Sequence, residues 1–208
     1  DIFDLKSLQQ AAKGCWAAFY LIHSMNPGNK DFARMDRQAA QNMVQASQAS
    51  RIQRIIYLGG LGEETPSLSE HLRSRMEVAR ILQSGSVPTT FLRAAVILGS
   101  GSASFEMLRY LVERLPVMTT PLWVRTPCQP IAIRNVIEFL SRVLMREDTF
   151  DQSFDIGGQH ILSYKEMLLI FAKVRKLRRI IISVPVMTPR LSSYWLYFVT
   201  STSYKLAV

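Results

Sequence analysis

Long hydrophobic runs are missing from this chain of 208 residues. No apolar stretch approaches the roughly 20 residues that a helix needs to cross a bilayer, so we expect no membrane-spanning segment. Cysteine is scarce as well, because the chain has only Cys15 and Cys128, far apart and without metal-ligand spacing. We therefore expect neither a disulfide scaffold nor a metal site, and we expect a reduced, cytoplasmic setting.

Acidic residues are also few, with 16 Asp and Glu against 25 Lys and Arg, and the net charge is +9. The arginines are scattered without glycine–aromatic interleaving, so we expect no nucleic-acid partner. Only KVRKLRR, residues 173–179, is dense in cations. This segment is typical of a helix C-terminus whose cations complement the helix dipole. Peripheral contact with an anionic membrane or another polyanion remains the alternative.

The chain does contain the alternation of elements that is typical of a parallel sheet. Continuous apolar runs predict strands covered on both faces, and they are WAAFYLI (16–22), IQRIIYL (52–58) and TTFLRAAVIL (89–98). Apolar residues at helical spacing follow each strand. Asp4 is the predicted cap of a short first helix, and Ser67 with Glu70 has the spacing of a capping box. Strands that alternate with helices predict an α/β fold with right-handed crossovers.

The alternation weakens after about residue 116, where prolines interrupt the chain. A helix near 134–146, a short strand SFDIG and a second capping box, Ser163 with Glu166, are predicted there. The apolar, aromatic and proline-rich end of the chain predicts a small lobe. We therefore expect a main domain over 1–160 and a small, incomplete C-terminal lobe over 161–208.

In an open parallel sheet, ligands bind beyond the carboxyl ends of the strands. Four stretches follow predicted strands, namely IHSM, GGLG, GSGSAS and the glycine pair at 157–158. LGSGSASFEM resembles a phosphate loop, but it lacks the P-loop lysine and the third glycine of a dinucleotide fingerprint. A tight turn with Ser102 or Ser104 as a helix cap is the alternative. GGLGEE is a poorer phosphate loop, because Glu63 and Glu64 would repel the ligand.

His71 and Arg75 are four residues apart on a predicted helix, so their side chains point the same way. Histidine can accept or donate a proton near neutrality. The permanent charge of arginine would favour the neutral imidazole. A plain surface pair is the alternative for these two residues. His23 follows the first predicted strand, and a hydrogen-bonded core histidine is the alternative to a ligand there.

The motifs YLIHSM, RIIYLGGLG, HLRSR, FLRAAVILGSGSASFEM, LPVMTTPLWVRT, QPIAI, FDIGG and LSYKEM occur in this order. Together, from residue 1 to about 204, the chain resembles an atypical short-chain dehydrogenase/reductase of the NmrA-like type. The resemblance implies a Rossmann-like parallel sheet with a small C-terminal substrate lobe. It also implies that the first strands and the glycine-rich pyrophosphate loop lie upstream of Asp1. We therefore expect a fragment that does not hold a dinucleotide measurably by itself, and relatives that continue past its end.

In catalytic relatives a serine and a Tyr-x-x-x-Lys pair perform the chemistry, with the tyrosine as acid/base and the lysine at the nicotinamide ribose. The resemblance puts Gly59 and Gly60 where the serines belong, His71 in the place of the tyrosine and Arg75 in that of the lysine. The implied cofactor is NAD(P)(H), with NADP(H) favoured. The residues implied to contact the cofactor are Asp1, Ile2, Leu21, Ile22, His23, Gly59, Gly60, Arg75 and Arg93. Those implied to contact a small-molecule substrate are Ser100, Gly101 and Ser102.

Two functions are therefore open. The first is an NAD(P)H-dependent oxidoreductase in which His71 is the acid/base. The second is a non-catalytic NAD(P)-binding module that senses redox state or supports an assembly. Fold alone does not choose between them, and we favour the first because His71 and Arg75 keep the four-residue spacing.

Overall fold

A computed structural model describes residues 1–22, 31–62 and 69–184. In these ranges the helices are α1 (Leu5–Ala12), α2 (Phe32–Ala49), α3 (Glu70–Gln83), α4 (Ala103–Arg114), α5 (Ile133–Val143) and α6 (Tyr164–Val174). The strands are β1 (Ala17–Tyr20), β2 (Arg54–Gly60), β3 (Thr89–Ala94), β4 (Ile97–Leu98), β5 (Val117–Pro121), β6 (Pro127–Cys128), β7 (Ile131–Ala132), β8 (Ser153–Ile156), β9 (Leu162–Ser163) and β10 (Ile180–Val184). Two short 3-10 helices cover Leu122–Arg125 and Glu147–Thr149.

The chain divides into two compact units, and the first consists of Asp1–Ala94 and Val136–Ile156. Its sheet has the strand order β1-β2-β3-β8, and every neighbouring pair is parallel. Since all four strands run the same way, their carboxyl ends lie at one edge of the sheet. The predicted α/β class with a parallel sheet is confirmed.

The core of the first unit lies between this sheet and the helices α1, α2 and α3. Its buried strand residues alternate along the strands, as the period of two in a sheet requires. Those that face these helices are Tyr20, Ile55, Tyr57 and Phe91, and the helices contribute Ala12, Ala40, Met43, Val78, Ala79 and Leu82. The apolar stripes read from the sequence of α2 and α3 therefore form the core that they predicted.

The prediction that the first strand is covered on both faces is wrong. β1 is an edge strand in the described sheet, and the side chain of Phe19 is 45% exposed. Tyr20, on the face toward the helices, is buried. The apolar run could not reveal this difference, because periodicity alone does not tell an edge strand from a central one.

The start of α3 and the third strand also differ from the prediction. Ser69 caps α3 by accepting a hydrogen bond from the Leu72 N–H at 3.3 Å, whereas Ser67, the predicted cap, lies outside the described residues. The predicted strand over 89–98 is two strands, β3 and β4. β3 belongs to the four-stranded sheet, whereas β4 pairs with β7 in the second unit.

The second unit consists of Ala95–Asn135 and the chain from Gly157 onward. Three two-stranded sheets form in its described part: β5 with β10, β4 with β7, and β6 with β9, of which only the last is antiparallel. Its core joins α4, β5 and α6 and contains Leu108, Leu111, Val112, Met118, Met167, Leu168 and Ala172. The predicted capping box of α6 is confirmed, with Ser163 and Glu166 bonded to each other's backbone.

From residue 185 onward, the apolar end of the chain that predicted a small lobe lies outside the described residues. Among the helices of the described ranges, none has the length and apolar character that a membrane span requires.

Candidate functional site

The carboxyl end of β2 is where the sequence predicts the active site. Gly59 and Gly60 end this strand and pair with Arg93 and Ala94 of β3. The N–H of Leu61 then donates to the Ala94 carbonyl at 2.8 Å. The two glycines are therefore held inside the sheet rather than in a free loop.

Neighbouring side chains occupy the space beside both glycines. A Cβ atom at Gly59 would lie 2.6 Å from Cε2 of Phe91 and 3.1 Å from the hydroxyl of Tyr57. A Cβ atom at Gly60 would lie 2.9 Å from Cδ2 of Leu72, the end of a flexible side chain. Phe91 is buried and stacked on Tyr57, with ring centroids 4.7 Å apart, so it is harder to displace. A serine at Gly59 would require the Phe91 ring to move.

α3 carries both residues that the resemblance puts in the place of the tyrosine and lysine. His71 is half-buried in the first turn, and Arg75 is one turn later with 8% of its surface exposed. The Nη1 of Arg75 donates to the carbonyl of Ile22 at 3.2 Å. Arg75 therefore lies at the carboxyl end of β1 as well as on α3.

Two buried tyrosines lie beside Arg75. The Tyr57 hydroxyl donates to the backbone carbonyl of Arg75 at 3.3 Å, and the ring of Tyr20 meets Tyr57 edge-on at 5.6 Å. Burial raises the pKa of Tyr57 to about 12, and the Arg75 guanidinium offsets part of the rise. Burial also raises the pKa of Tyr20, and Tyr57 and Asp36 add to that rise. Both phenols therefore remain protonated near neutrality, and that of Tyr57 is the donor to the Arg75 carbonyl.

A buried carboxylate completes this group. Asp36, on α2, is 2% exposed and accepts a hydrogen bond from Oγ of Ser74 at 3.0 Å. We call Tyr20, Asp36, Tyr57, Ser74 and Arg75 the Tyr–Asp–Arg cluster. It links β1, β2 and α2 to α3, and so it fixes the helix that carries His71.

Sequence reasoning missed Asp36, although a signal for it exists. In α2 the buried positions include 36, 39, 40 and 43, so this aspartate lies on the apolar face of its helix. A carboxylate is almost never fully buried unless it is paired or hydrogen-bonded. An acidic residue inside an apolar stripe therefore indicates a buried polar cluster.

Arg93, implied to contact the cofactor, has a partner inside the sheet. Its Nε lies 2.6 Å from Oδ1 of Asp155, the residue opposite it on β8. This ion pair joins the ends of β3 and β8, and both side chains retain some exposure. A cofactor contact by Arg93 stays a prediction.

Of the other residues implied to contact the cofactor, Asp1 is exposed and its carboxylate accepts from the Phe3 N–H at 2.9 Å. The carbonyl of Ile2 accepts from Nδ2 of Asn42 at 2.8 Å, which ties the start of the chain to α2. Leu21 and Ile22 are exposed at the end of β1, whereas His23 lies outside the described residues.

The residues implied for substrate contact, Ser100, Gly101 and Ser102, lie in the second unit. Ser100 is exposed, and Gly101 has a φ of +81° that favours glycine. Oγ of Ser102 accepts from the Phe105 N–H at 3.2 Å and caps α4. The tight turn with a Ser102 cap, one of the two alternatives for this stretch, is thus present.

The glycine pair at the end of β8 has a steric role. A Cβ atom at Gly158 would lie 2.3 Å from the Pro130 carbonyl oxygen, to which the Gly158 N–H donates at 3.1 Å. A Cβ atom at Gly157 would lie 2.7 Å from the side chain of Gln129. Close approach of the Pro130 backbone at Gly158 and of the Gln129 side chain at Gly157 explains both glycines without a ligand. Across residues 1–22, 31–62 and 69–184, no group of three His, Cys, Asp or Glu side chains is arranged to hold a metal ion.

Comparison with known proteins gives a match of fold. A nucleoside-diphosphate-sugar epimerase from Staphylococcus aureus is 17% identical with a TM-score of 0.74, covering 100% of this chain and 69% of its own. The Bordetella bronchiseptica enzyme WbmG in complex with NAD is 12% identical with a TM-score of 0.72, covering 97% of this chain and 71% of its own. A short-chain dehydrogenase/reductase superfamily protein from Agrobacterium tumefaciens with bound NAD is 13% identical with a TM-score of 0.67. The match covers 89% of this chain and 72% of that protein's chain.

No protein-family model and no curated protein sequence matches the chain. The Rossmann-like fold that the resemblance implied is confirmed, and the structural neighbours that share it include a short-chain dehydrogenase/reductase superfamily protein and a sugar-nucleotide epimerase. The narrower resemblance to the NmrA-like type stays a prediction.

Proposed function

We propose that this chain belongs to an NAD(P)H-dependent oxidoreductase of the short-chain dehydrogenase type, in which His71 is the acid/base and Arg75 binds the nicotinamide ribose. One observation carries the proposal: α3 follows the carboxyl end of β2, and the Tyr–Asp–Arg cluster fixes Arg75 one helical turn from His71. Structural neighbours with this fold contain bound NAD, which supports a nicotinamide dinucleotide as the cofactor.

The residues at the ends of β1 and β2 have the chemical character that such a cofactor requires. Leu21 and Ile22 offer exposed apolar surface for a ring, and Arg75 offers a cation with several N–H donors for hydroxyl groups. When bound, the reduced cofactor supplies a hydride. His71 would donate the proton to the substrate oxygen, and Arg75 would hold the ribose. The Phe91 ring occupies the space in which the side chain of a serine at position 59 would lie, so this position supplies no hydroxyl.

The first test replaces His71 by alanine in protein that includes the segment implied upstream of Asp1. Turnover with NADPH is assayed against quinones, aldehydes and sugar nucleotides, and we expect a loss of about 10²- to 10⁴-fold with nearly unchanged cofactor affinity. His160→Ala, which changes an exposed histidine of the second unit, is the matched control. Equal turnover in His71→Ala and wild type would remove His71 from the mechanism.

The second test is Arg75→Met. Loss of one charged hydrogen-bonding group should weaken cofactor binding by about 1.5 to 3 kcal/mol. The acidic limb of the pH–rate profile should move to higher pH, because loss of the positive charge favours the protonated imidazole. Arg73→Met, on the exposed side of α3, is the control. Unchanged affinity in Arg75→Met would show that Arg75 does not bind the ribose.

A second candidate function is a non-catalytic NAD(P)-binding module. The observation that favours it is that β2 ends in Gly59 and Gly60, with the Phe91 ring filling the space beside Gly59, so that no hydroxyl at these two positions would polarise a carbonyl. If Arg75→Met weakens cofactor binding but no substrate supports a rate, this candidate replaces the oxidoreductase.

We also expect residues 1–208 alone not to bind NADPH measurably, since the resemblance implies a glycine-rich loop upstream of Asp1. Calorimetric titration of the chain with NADPH measures this directly. Micromolar affinity would show that the described sheet suffices and that no upstream loop is needed.

A further inference from the structure

The outer face of the sheet formed by β5 and β10 is apolar and open. Val117 and Ile180 are register partners, and Ile182 follows two residues along on the same face. Their exposed fractions are 50%, 60% and 49%. Met118 and Thr120, on the opposite face, are buried. The sheet therefore covers its core with one face and leaves the other without a protein partner among the described residues.

Cations border this apolar face where β10 begins. Arg178 is exposed and stands two residues before Ile180, whereas Arg179 turns inward and donates to the Val112 carbonyl at 2.5 Å. Arg178 lies in the segment that leads into β10, next to the end of the strand where Ile180 lies. Lys176, with a φ of +56°, is also exposed.

The neighbouring charges do not neutralise these cations. Arg175 pairs with Glu113 at 3.0 Å, but Lys176 and Arg178 have no ion pair in the part of the chain that the structure describes. The segment KVRKLRR has five Lys and Arg residues and no Asp or Glu. The border of the apolar face is therefore strongly positive.

We propose that this face, Val117, Ile180 and Ile182 bordered by Lys176 and Arg178, docks on the surface of an anionic lipid bilayer. An apolar centre that enters the headgroup boundary and cations that remain at the anionic surface are the two features of peripheral membrane binding.

Charge complementarity favours the bilayer over other occupants. A second copy of this chain would offer the same apolar face with the same cations, so its charge would not complement the border. A nucleic acid would use the cations but not the isoleucines, because its backbone offers charge rather than apolar surface. A bilayer that contains anionic lipids matches both parts of the patch.

The test is flotation of the 208-residue chain with vesicles of phosphatidylcholine alone and with 30% phosphatidylserine. We expect at least about tenfold stronger binding to the anionic vesicles, and weakening as salt is raised from 0.1 to 0.5 M. The double variant Ile180→Ser/Ile182→Ser and the variant Arg178→Glu should each reduce binding by about tenfold or more.

Matched controls come from the same unit. Ile161→Ser and Arg134→Glu change exposed residues outside this sheet, and they should bind vesicles like wild type. Circular dichroism of every variant checks that the fold is kept. Equal binding of wild type and Ile180→Ser/Ile182→Ser overturns the proposal, as does equal binding to neutral and anionic vesicles. Binding to RNA that Arg178→Glu abolishes while the isoleucine variant keeps it, or a dimer that only the isoleucine variant dissociates, would assign the patch to the other occupants.

Discussion

Arg54 and Arg75 are both buried in the first unit, but their surroundings differ. Arg54 begins β2 and is fully buried, and its Nη2 donates to the hydroxyl of Thr90, to the hydroxyl of Thr149 at 2.7 Å and to the Val143 carbonyl at 3.4 Å. Its guanidinium carbon lies 4.0 Å from the centre of the Phe150 ring. Every group that contacts this guanidinium is neutral.

Arg75, in contrast, lies near charged and titratable groups. The Asp36 carboxylate and the Arg75 guanidinium act on the same two tyrosines, Tyr20 and Tyr57. Arg54 has no such neighbours in direct contact, and burial lowers its pKa while Asp151 offsets part of the change. A buried arginine held only by neutral groups and a ring has a structural role, whereas one among titratable groups at the carboxyl edge of a sheet is a candidate for chemistry.

The largest effect should come from Arg54→Ala. This change removes three hydrogen bonds and the contact with Phe150, and it leaves a cavity, so we expect a loss of about 3 kcal/mol or more in the free energy of unfolding. Arg54→Met, which keeps most of the volume, should cost clearly less. Urea unfolding measures both. If Arg54→Ala and Arg54→Met are equally unstable, the hydrogen bonds of the guanidinium, and not the volume that the side chain fills, stabilise this region.

High pH should affect the Arg75 region through Tyr57. The unfolded chain ionises this phenol near pH 10, whereas the folded protein keeps it protonated to about pH 12. Below about pH 10 the free energy of unfolding is unaffected by this difference in pKa. As the pH rises from about 10 toward 12, ionisation of the unfolded chain lowers the free energy of unfolding, by about 2 to 3 kcal/mol in total. Urea unfolding from pH 9 to 12 should show a smaller decline for Tyr57→Phe than for wild type. Parallel declines would mean that the phenol is not protected by burial.

Gly59→Ser should disturb the same region sterically. The new side chain meets the Phe91 ring, and we expect a loss of about 2 kcal/mol in the free energy of unfolding. Gly60→Ser is the control and should cost less, because the end of Leu72 can move. A double-mutant cycle with Phe91→Leu should recover part of the loss at Gly59 only. Equal costs at the two glycines would contradict the special role of the Phe91 ring.

The smallest effect expected is that of Ser74→Ala. It removes the 3.0 Å hydrogen bond to Asp36 and should lower the free energy of unfolding by about 1 kcal/mol. Ser84→Ala, at the exposed C-cap of the same helix, is the control and should change little. An effect of Ser74→Ala no larger than that of Ser84→Ala would indicate that Asp36 does not depend on this hydroxyl.

Most of the fold follows from local patterns. Apolar runs located β2 and β3, helical stripes located α2, α3 and α4, and Asp4, Ser102 and Ser163 were identified as helix caps, with Ser102 as one of two candidates. These features depend on neighbours in sequence, which a single chain displays. The exposure of β1 and the division between β3 and β4 depend on strand pairing, and pairing joins residues that are distant in sequence.

The site was predictable in position but not in its polar contacts. The sequence located His71 and Arg75 on one helix behind β2, whereas the bond from Arg75 to Ile22 and the burial of Asp36 appear only once three elements meet. Arg54 was read as part of an apolar strand. Its partner Thr149 is 95 residues away in sequence, and Phe150 is the next residue.

The discontinuous first unit has a consequence for folding during synthesis. β3 is complete at residue 94, but β8 and all partners of the Arg54 guanidinium named above except Thr90 belong to the segment Val136–Ile156. At about 5 to 20 residues per second, roughly 60 further residues require about 3 to 12 s. During this interval β3 lacks its neighbour and the Arg54 guanidinium lacks most of its acceptors. The nascent chain therefore exposes a sheet edge and a cation that the finished protein buries, and a chaperone that binds open strand edges would act at this stage.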